Sequence, residues 1–430
     1  MSSVRLFERE YSQPKIFVDG THRSRSPTET LRAYRSLMPA MGITRLANVT
    51  GLDCIGLPVY MGVRPNARTI AVSQGKGLDA AAAKASALME SIEHWHAEHY
   101  LGPVCVGSYA DMTADPALAT LDVTRLPRPA GAPFALDVPT GWTEGFDVMR
   151  GVPIRVPLDA TQFEWTRERP WQRMFLESGN GLASGNHLLE AIVHGLCEVI
   201  ERDATYLWNL DTSAARTKSA QLDPDTVDDP HCRAVLELFR RAHIHVAMWD
   251  VTSDLGIPTY SVGILDEPGW RGRPLAHGSG CHLSPAIALL RALTEAAQSR
   301  LTTIAGSRDD IPLELYRPLD EARAERIIHH FAEPRPHRDF RARRSLNTPT
   351  FEDDLAALLT ALHAAEITTV AVVDLSRPEF AIPVVRVLVP GLEVDAHGGI
   401  QVTVGARGRR RLAELEALRG AQKDRRARAP

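Results

Sequence analysis

Residues 180–203 read NGLASGNHLLEAIVHGLCEVIERD, and much of the chain repeats their plan. The stretch opens on a polar, Gly-rich turn carrying Asn180, Gly181, Ser184, Gly185 and Asn186, able to bend sharply and offer bare backbone N–H groups. A helix follows. Leu188, Leu189, Ile192, Val193, Leu196, Val199 and Ile200 recur every three to four residues, as one buried helical stripe requires. Glu190, Glu198 and Glu201 lie elsewhere. At about 100° per residue their successive offsets amount to roughly 80° and 60°, so the three acids share a face. Carboxylates so placed repel one another without cations. A hard divalent ion with oxygen ligands, most simply Mg2+ carrying phosphates, reconciles them.

The plan occurs three times. Upstream, Ser73-Gln74-Gly75-Lys76-Gly77 precedes a helix containing Ser86, Glu90 and Glu93; downstream, Gly278-Ser279-Gly280-Cys281-His282 precedes one containing Arg291, Glu295 and Gln298. With His194, Glu198 and Glu201 these give one pattern: a polar residue, an acid four later, and Glu or Gln three after that. A second repeated element is Gly or Ala, an aliphatic residue and Pro ahead of a strand-like run: Gly56-Leu57-Pro58, Gly151-Val152-Pro153, Gly256-Ile257-Pro258 and Ala381-Ile382-Pro383. Pro at the start of a strand is where a sheet tolerates it. The expected fold is therefore α+β, built from a unit of strand, Gly-rich loop and acid-faced helix. The unit is used three times with a partial fourth copy, and its three helices converge on one site.

A hydrophobic content of 44% and a charged content of 24% over 430 residues are ordinary for a globular protein with a large core. The net charge of −4 implies no general nucleic-acid or membrane affinity. Cys54, Cys105, Cys197, Cys232 and Cys281 nowhere form C-x-x-C, which argues against a disulfide framework or a zinc knuckle. The N-terminus, MSSVRLFEREYSQPK, carries charges where a signal peptide needs an apolar core, so a cytoplasmic location is expected.

The expected organisation is an arm at 1–25, a core at 26–310, a linker at 311–348, a C-terminal α/β part at 349–405 and a basic tail at 406–430. Ser26-Pro27-Thr28-Glu29 reads as a helix start. Residues 101–142 read as a surface excursion, and 210–230 as a mobile loop beside the site. The cluster His94-Trp95-His96-Ala97-Glu98-His99 lacks H-E-x-x-H and reads as a helix end with partly exposed imidazoles rather than a zinc site. Cys197 reads as a core thiol. No loop matches G-x-x-x-x-G-K-[ST], G-x-G-x-x-G or G-x-S-x-G, so neither a P-loop, a Rossmann site nor a nucleophile elbow is indicated.

Four stretches together resemble the motifs of the YcaO family: Ser86-Ala87-Leu88-Met89-Glu90-Ser91-Ile92-Glu93, Gly181-Leu182-Ala183-Ser184-Gly185-Asn186, Glu198-Val199-Ile200-Glu201-Arg202-Asp203 and Arg291-Ala292-Leu293-Thr294-Glu295-Ala296-Ala297-Gln298. The resemblance runs from about residue 21 to 392 and takes in Gly42-Ile43-Thr44-Arg45 and Thr50-Gly51-Leu52-Asp53. The variety resembles the stand-alone members that occur with a TfuA partner, rather than those fused to an E1-like peptide-binding domain. The resemblance implies an enzyme that binds ATP with Mg2+ and activates a backbone amide oxygen of a precursor peptide or protein. Sulfide from a sulfur donor then gives a thioamide, whereas a neighbouring Cys, Ser or Thr gives an azoline.

Carried over by motif position, Glu90, Glu93, Glu198 and Glu201 would hold Mg2+. Arg23, Thr30, Ser86, Asn186, Glu190 and Arg202 would contact nucleotide, with Glu295 and Gln298 in the same site. The resemblance assigns no catalytic residue. It also implies a TfuA-like partner and a homodimer. Three departures stand out: His94 where many members have Arg, Ala183 where some have Ser, and an Arg428-Ala429-Pro430 ending in place of Pro-x-Pro-x-Pro. The last favours thioamide formation over an azoline-forming cyclodehydratase. A non-catalytic, peptide-recruiting scaffold is the reading from another class, and the acid faces argue against it.

Overall fold

A computed structural model describes residues 3–211, 219–267, 275–308, 310–311, 313–317, 320–332, 338–394 and 400–427. The 1–25 arm holds a hairpin of β1 (Val4–Leu6) and β2 (Arg9–Tyr11). Helix α1 (Pro27–Tyr34) follows, with Ser26 and Glu29 forming a capping box.

The Gly/Ala-x-Pro elements share one conformation. Gly56, Gly151, Gly256 and Ala381 all have positive φ, at 76°, 68°, 71° and 52°. This left-handed turn is open to Gly at no steric cost and leads directly into the strand that Pro begins. Each is a corner between antiparallel strands. The first joins β3 (Arg45–Asn48) to β4 (Val59–Val63), which pairs on with β5 (Val72–Lys76) ahead of α2 (Ala80–Glu98).

In the second unit β6 (Cys105–Gly107) and β7 (Ala119–Thr120) precede β8 (Thr140–Asp147) and β9 (Val152–Pro157), and β10 (Leu182–Ser184) leads into α3 (Leu188–Leu210). The third unit comprises α4 (Pro230–Arg241), β11 (Ile244–Asp250), β12 (Thr259–Asp266), β13 (Ala276–Cys281) and α5 (Pro285–Ala305). Helix α6 (Glu321–Ala332) follows it. The partial fourth copy is α7 (Phe351–Ala364), β14 (Ala371–Asp374) and β15 (Val384–Leu388), and α8 (Ala406–Ala427) ends the described chain.

The second and fourth hairpins merge into one sheet in the order β10-β15-β14-β8-β9-β7, with β6 also on β8. Strand alternation splits its two faces. Val372, Val385 and Val387 point into the core that contains α3 and α7, whereas Ala371, Val373 and Val384 join the core of α2, Trp142 and Ile154.

Two expectations need correction. The Gly-rich stretches are largely strands, not loops: Gln74 to Lys76, Leu182 to Ser184 and Gly278 to Cys281 lie in β5, β10 and β13. Their glycines let a helix lie directly on the strand. A Cβ on Gly75 would fall 2.0 Å from the Ala87 nitrogen, and one on Gly280 would fall 2.1 Å from the Ala288 oxygen. Strand propensity hid this, because Gly and small polar residues are depleted in strands whose own side chains do the packing. Nor is 101–142 a surface excursion. β6 and β7 pair into the sheet, and Leu121, Val123 and Leu126 are buried in the α2 core.

Register makes the units superimposable. The Gly77, Gly185 and His282 amides donate to Pro58, Pro383 and Pro258 oxygens, so Lys76, Ser184 and Cys281 are equivalent, as are Gln74 and Ser279. Of the expected mobile loop at 210–230, residues 212–218 lie outside the described residues, and the rest is corrected: the Leu222 amide donates to the Met248 oxygen of β11 at 2.8 Å, and Leu222 and Val227 are buried in the core.

Candidate functional site

Helices α2, α3 and α5 wall a cavity of about 790 Å³. All twelve residues expected at a nucleotide and metal site line it: Arg23, Thr30, Ser86, Glu90, Glu93, Asn186, Glu190, Glu198, Glu201, Arg202, Glu295 and Gln298.

The acids are held by a rule that the repeat generates. The first acids lean on the backbone of their own unit: Glu198 accepts the Gly181 N–H and Glu295 the Ser279 N–H, each at 3.3 Å, and the Gln74 backbone draws the Glu90 carboxyl down. Each second acid is held by the strand of another unit. Glu93 accepts the Ser184 amide at 2.8 Å and its hydroxyl at 2.7 Å; Glu201 accepts the Cys281 amide at 3.0 Å and the Ser279 hydroxyl at 2.7 Å. The third unit has Gln298 at this position, and Lys76 Nζ reaches Glu295 at 3.2 Å from the first unit's strand. The contacts thus run from unit two to one, three to two and one to three, closing a pseudo-threefold ring.

Glu190 does not join the other two acids on one face as its spacing leads us to expect, because Ser24 and Arg23 of the N-terminal arm draw it aside. It accepts the Ser24 amide at 2.8 Å and the Ser24 hydroxyl at 2.5 Å, with Arg23 Nη1 at 3.6 Å. Beside it, the Thr30 hydroxyl donates to Asn186 Oδ1 at 3.1 Å. Ser86 lines the cavity from α2, and Arg202 Nη1 lies 3.8 Å from Glu201.

Burial and mutual repulsion disturb the acids. Burial pushes the Glu90 carboxyl up to about 7, and burial with the charges of Glu90 and Glu198 pushes Glu93 up to about 8. Glu198 is raised by burial and by Glu201. Burial also presses on Glu295, but Lys76 and Arg202 outweigh it and hold that carboxyl below its usual range. A hard cation would relieve the raised group. Among the described residues no group of three or more His, Cys, Asp or Glu side chains is placed to hold a metal ion by itself. A Mg2+ at these acids would draw its remaining ligands from water and phosphate.

Sequence reasoning passed over several contributors. Lys76 and Arg308 draw the Glu90 carboxyl down against burial, and Arg291 Nη1 donates to His194 Nδ1 at 3.1 Å. Lys76 and Arg291 lie within the quoted repeats, where their basic character was the available signal. Arg386, 1% exposed, donates to the Ser178 and Asn180 oxygens, each at 2.8 Å, fixing the turn before β10. Nothing in its strand pattern marks that role. The reading of exposed imidazoles after Glu93 is also corrected. His94 and His96 are buried, which lowers them to about 3 and about 4, and Glu98 forms a two-pronged pair with Arg64 at 2.7 and 2.8 Å. His94 and His96 lie about 200° apart around α2 and are covered separately, His94 against Phe163 and His96 against Phe380. Cys197 is a buried free thiol, as expected.

A family model described as YcaO cyclodehydratase, ATP- and Mg2+-binding, matches residues 74–393. The chain belongs to the YcaO family. It is 36% identical over 390 residues to an uncharacterized protein of the tfuA 3′ region in Rhizobium leguminosarum bv. trifolii, covering 87% of this chain and 90% of that one. It is also 36% identical over 374 residues to an uncharacterized protein of Methanothermobacter thermautotrophicus, covering 86% and 94%.

Among solved folds, the YcaO of Methanopyrus kandleri bound with AMPPCP and Mg2+ superimposes with a TM-score of 0.68 at 24% identity, over 89% of this chain and 95% of that one. A heterocyclase in complex with substrate and cofactor gives 0.72 at 21% identity, over 91% of this chain. The chain spans 55% of that heterocyclase's length. The same fold thus recurs within a longer chain. No helix among the described residues is long and apolar enough to cross a membrane.

Proposed function

We propose that this YcaO protein uses ATP with Mg2+ to activate a backbone amide oxygen in a ribosomally made peptide or protein, and that sulfide replaces that oxygen to give a thioamide. The observation that carries the reading is the convergence of Glu90, Glu93 and Glu198 from two helices, their carboxyls raised by burial and by neighbouring acids. Clustered acids of this kind cost stability unless a cation is to be held there.

In this reading Glu90, Glu93, Glu198 and Glu201 hold Mg2+. Arg23, Thr30, Ser86, Asn186, Glu190 and Arg202 orient the nucleotide, and Glu295 and Gln298 complete the wall. Bound ATP supplies the phosphoryl group that turns a poor leaving group, the amide oxygen, into a good one. Ser184, Ser279 and the Cys281 amide fix the carboxylates so that they need not reorganise during the reaction.

The relative from the tfuA 3′ region favours the thioamide product and a TfuA-like partner. A sulfur donor, a homodimer and a cytoplasmic location belong to the same reading. Azoline formation is the second reading, favoured by the family's description as cyclodehydratases. Product mass separates them: exchange of oxygen for sulfur adds mass, whereas cyclodehydration removes one water.

The first test is ATP binding and hydrolysis with and without Mg2+ in the wild type, Glu90→Ala and Glu201→Ala. Metal-dependent binding that both variants lose supports the reading. Binding undiminished in both, or absent from the wild type, sinks it.

A further inference from the structure

The pseudo-threefold relation extends to the strands behind the helices, and there one unit differs from the other two. Opposite the second residue after Pro58, Pro258 and Pro383 lie Asn48, Asp250 and Asp374, so β3, β11 and β14 are equivalent, as are Leu46, Met248 and Val372 within them. In two of these strands, extended chain covers the outer side. The Leu222 amide donates to the Met248 oxygen at 2.8 Å, and β8 pairs with β14, setting Phe146 opposite Val372. β3 pairs with β4 alone.

The ladder fixes which groups are bare. The Val49 amide donates to the Val59 oxygen, and antiparallel pairs alternate between bonded and non-bonded, so Arg45 and Ala47 bond to β4 whereas Leu46 and Asn48 turn their N–H and C=O groups outward. Neither has a backbone partner on that side among the described residues.

Cations stand at both ends of this edge. Arg45 begins the strand and is exposed, and Lys84 Nζ lies 5.2 Å from the ring centre of Tyr60, the residue opposite Asn48. Strand alternation puts the two on opposite faces of the sheet. Neither has a carboxylate partner among the described residues. Residues 30–52 hold three arginines and no acid, and Asp53 beyond them is bonded to Arg300. An unpaired backbone edge between two free cations is the complement of an extended segment that carries acids: the main chain supplies the bonds, and alternate side chains meet the charges.

We propose that the outer edge of β3 is a docking site for an acidic, extended peptide segment, which joins the β3-β4-β5 sheet as a further strand through the backbone of Leu46 and Asn48. That this segment belongs to the peptide being modified rests on the reading of the preceding subsection. The added strand would lie three strand spacings, about 14 Å, from β5, whose Lys76 lines the cavity. At least about four extended residues would then separate the held segment from the reacting amide.

The test is fluorescence anisotropy of a labelled octapeptide, Val-Glu-Glu-Val twice over, added to the full chain without nucleotide. Saturable binding is expected. It should weaken at least about fivefold in Asn48→Pro, which removes one outward N–H and leaves the bonds to β4. Arg45→Glu combined with Lys84→Glu should weaken it about tenfold. The octapeptide with methylated amide nitrogens should not bind. AMPPCP–Mg2+ affinity should stay within about twofold in both variants; if Asn48→Pro loses it, the methylated peptide carries the backbone test alone. Binding undiminished in either variant, absent from the wild type, or equal for the methylated peptide overturns the docking site. So does a dimer that Asn48→Pro converts to monomer, since a second copy would then hold the edge. A wild type that binds the octapeptide but not AMPPCP keeps the docking site and fails the proposed function.

Discussion

The Ser279 hydroxyl donates to Glu201 Oε1 at 2.7 Å, joining the last strand of the third unit to the helix of the second. Each second acid in the ring takes its orientation from a neighbouring unit. The carboxylates are therefore set by tertiary assembly as well as by their own helices, and pH, backbone shape and distant clamps should all register at the cavity.

The Mg2+-free protein should lose stability as pH rises from about 5 to about 8. Glu90 and Glu93 sit at about 7 and about 8 in the folded state against an ordinary 4.5. Between those limits the folded chain keeps protons that the unfolded chain has released, so stability falls with rising pH. Thermal melts across this range should show the decline, and Glu93→Gln should flatten it. A melting temperature independent of pH would contradict the raised carboxyls. Calorimetry of AMPPCP–Mg2+ binding near neutral pH, in buffers of different ionisation heat, should show proton release.

Gly75→Ala should destabilise the fold by about 3 kcal/mol or more, because the new Cβ would meet helix backbone that cannot swing aside. Its nearest neighbour, the Ala87 nitrogen, would lie 2.0 Å away. Gly420→Ala, with nothing within 4 Å, is the matched control and should not destabilise. Urea unfolding of the two variants compares them directly.

Ala381→Gly should stabilise by up to about 1 kcal/mol, since the left-handed conformation strains a residue with a Cβ. Ala381 has φ of 52° where the three equivalent corners use Gly. A raised urea midpoint with unchanged slope is the expected result.

Arg407→Ala should cost about 3–5 kcal/mol by stranding a buried charge. Arg407 bonds to both oxygens of the fully buried Asp203, Nε at 2.9 Å and Nη2 at 2.8 Å, and it also pairs with Asp254. Adding Asp203→Asn should recover part of the loss, because the stranded charge goes with it. Equal destabilisation in single and double variants would show that packing dominates.

The sequence made the helices and the acid faces legible because a 3.6-residue period survives in both apolar and acidic positions of α2, α3 and α5. The hairpin corners were legible through Pro58, Pro153, Pro258 and Pro383. What stayed hidden depends on partners distant in sequence. Gly75 and Gly280 look like turn residues until the helix lying on them is seen. Ser184 and Ser279 look like loop polarity until the carboxylate of another unit meets each of them. His94 and His96 look exposed on a charged segment, whereas Phe163 and Phe380, both remote in sequence, cover them on opposite sides of α2. Arg386 reads as an interruption of a Val-rich strand, and only the assembled sheet shows which carbonyls it serves.

Strand β10, which sets the Gly-rich entry to α3, pairs with β15, and Leu182 lies opposite Arg386. During synthesis on a ribosome, the first of these residues emerges long before the second. A nascent chain that already contains all three acid-bearing helices still lacks the strand that orders the 178–184 segment, and with it Ser184's hold on Glu93. Nucleotide affinity should therefore arrive late and abruptly, once the fourth hairpin has docked. Until then the unpaired edge of β10 is exposed to wrong partners, the familiar hazard of sheets assembled from remote segments.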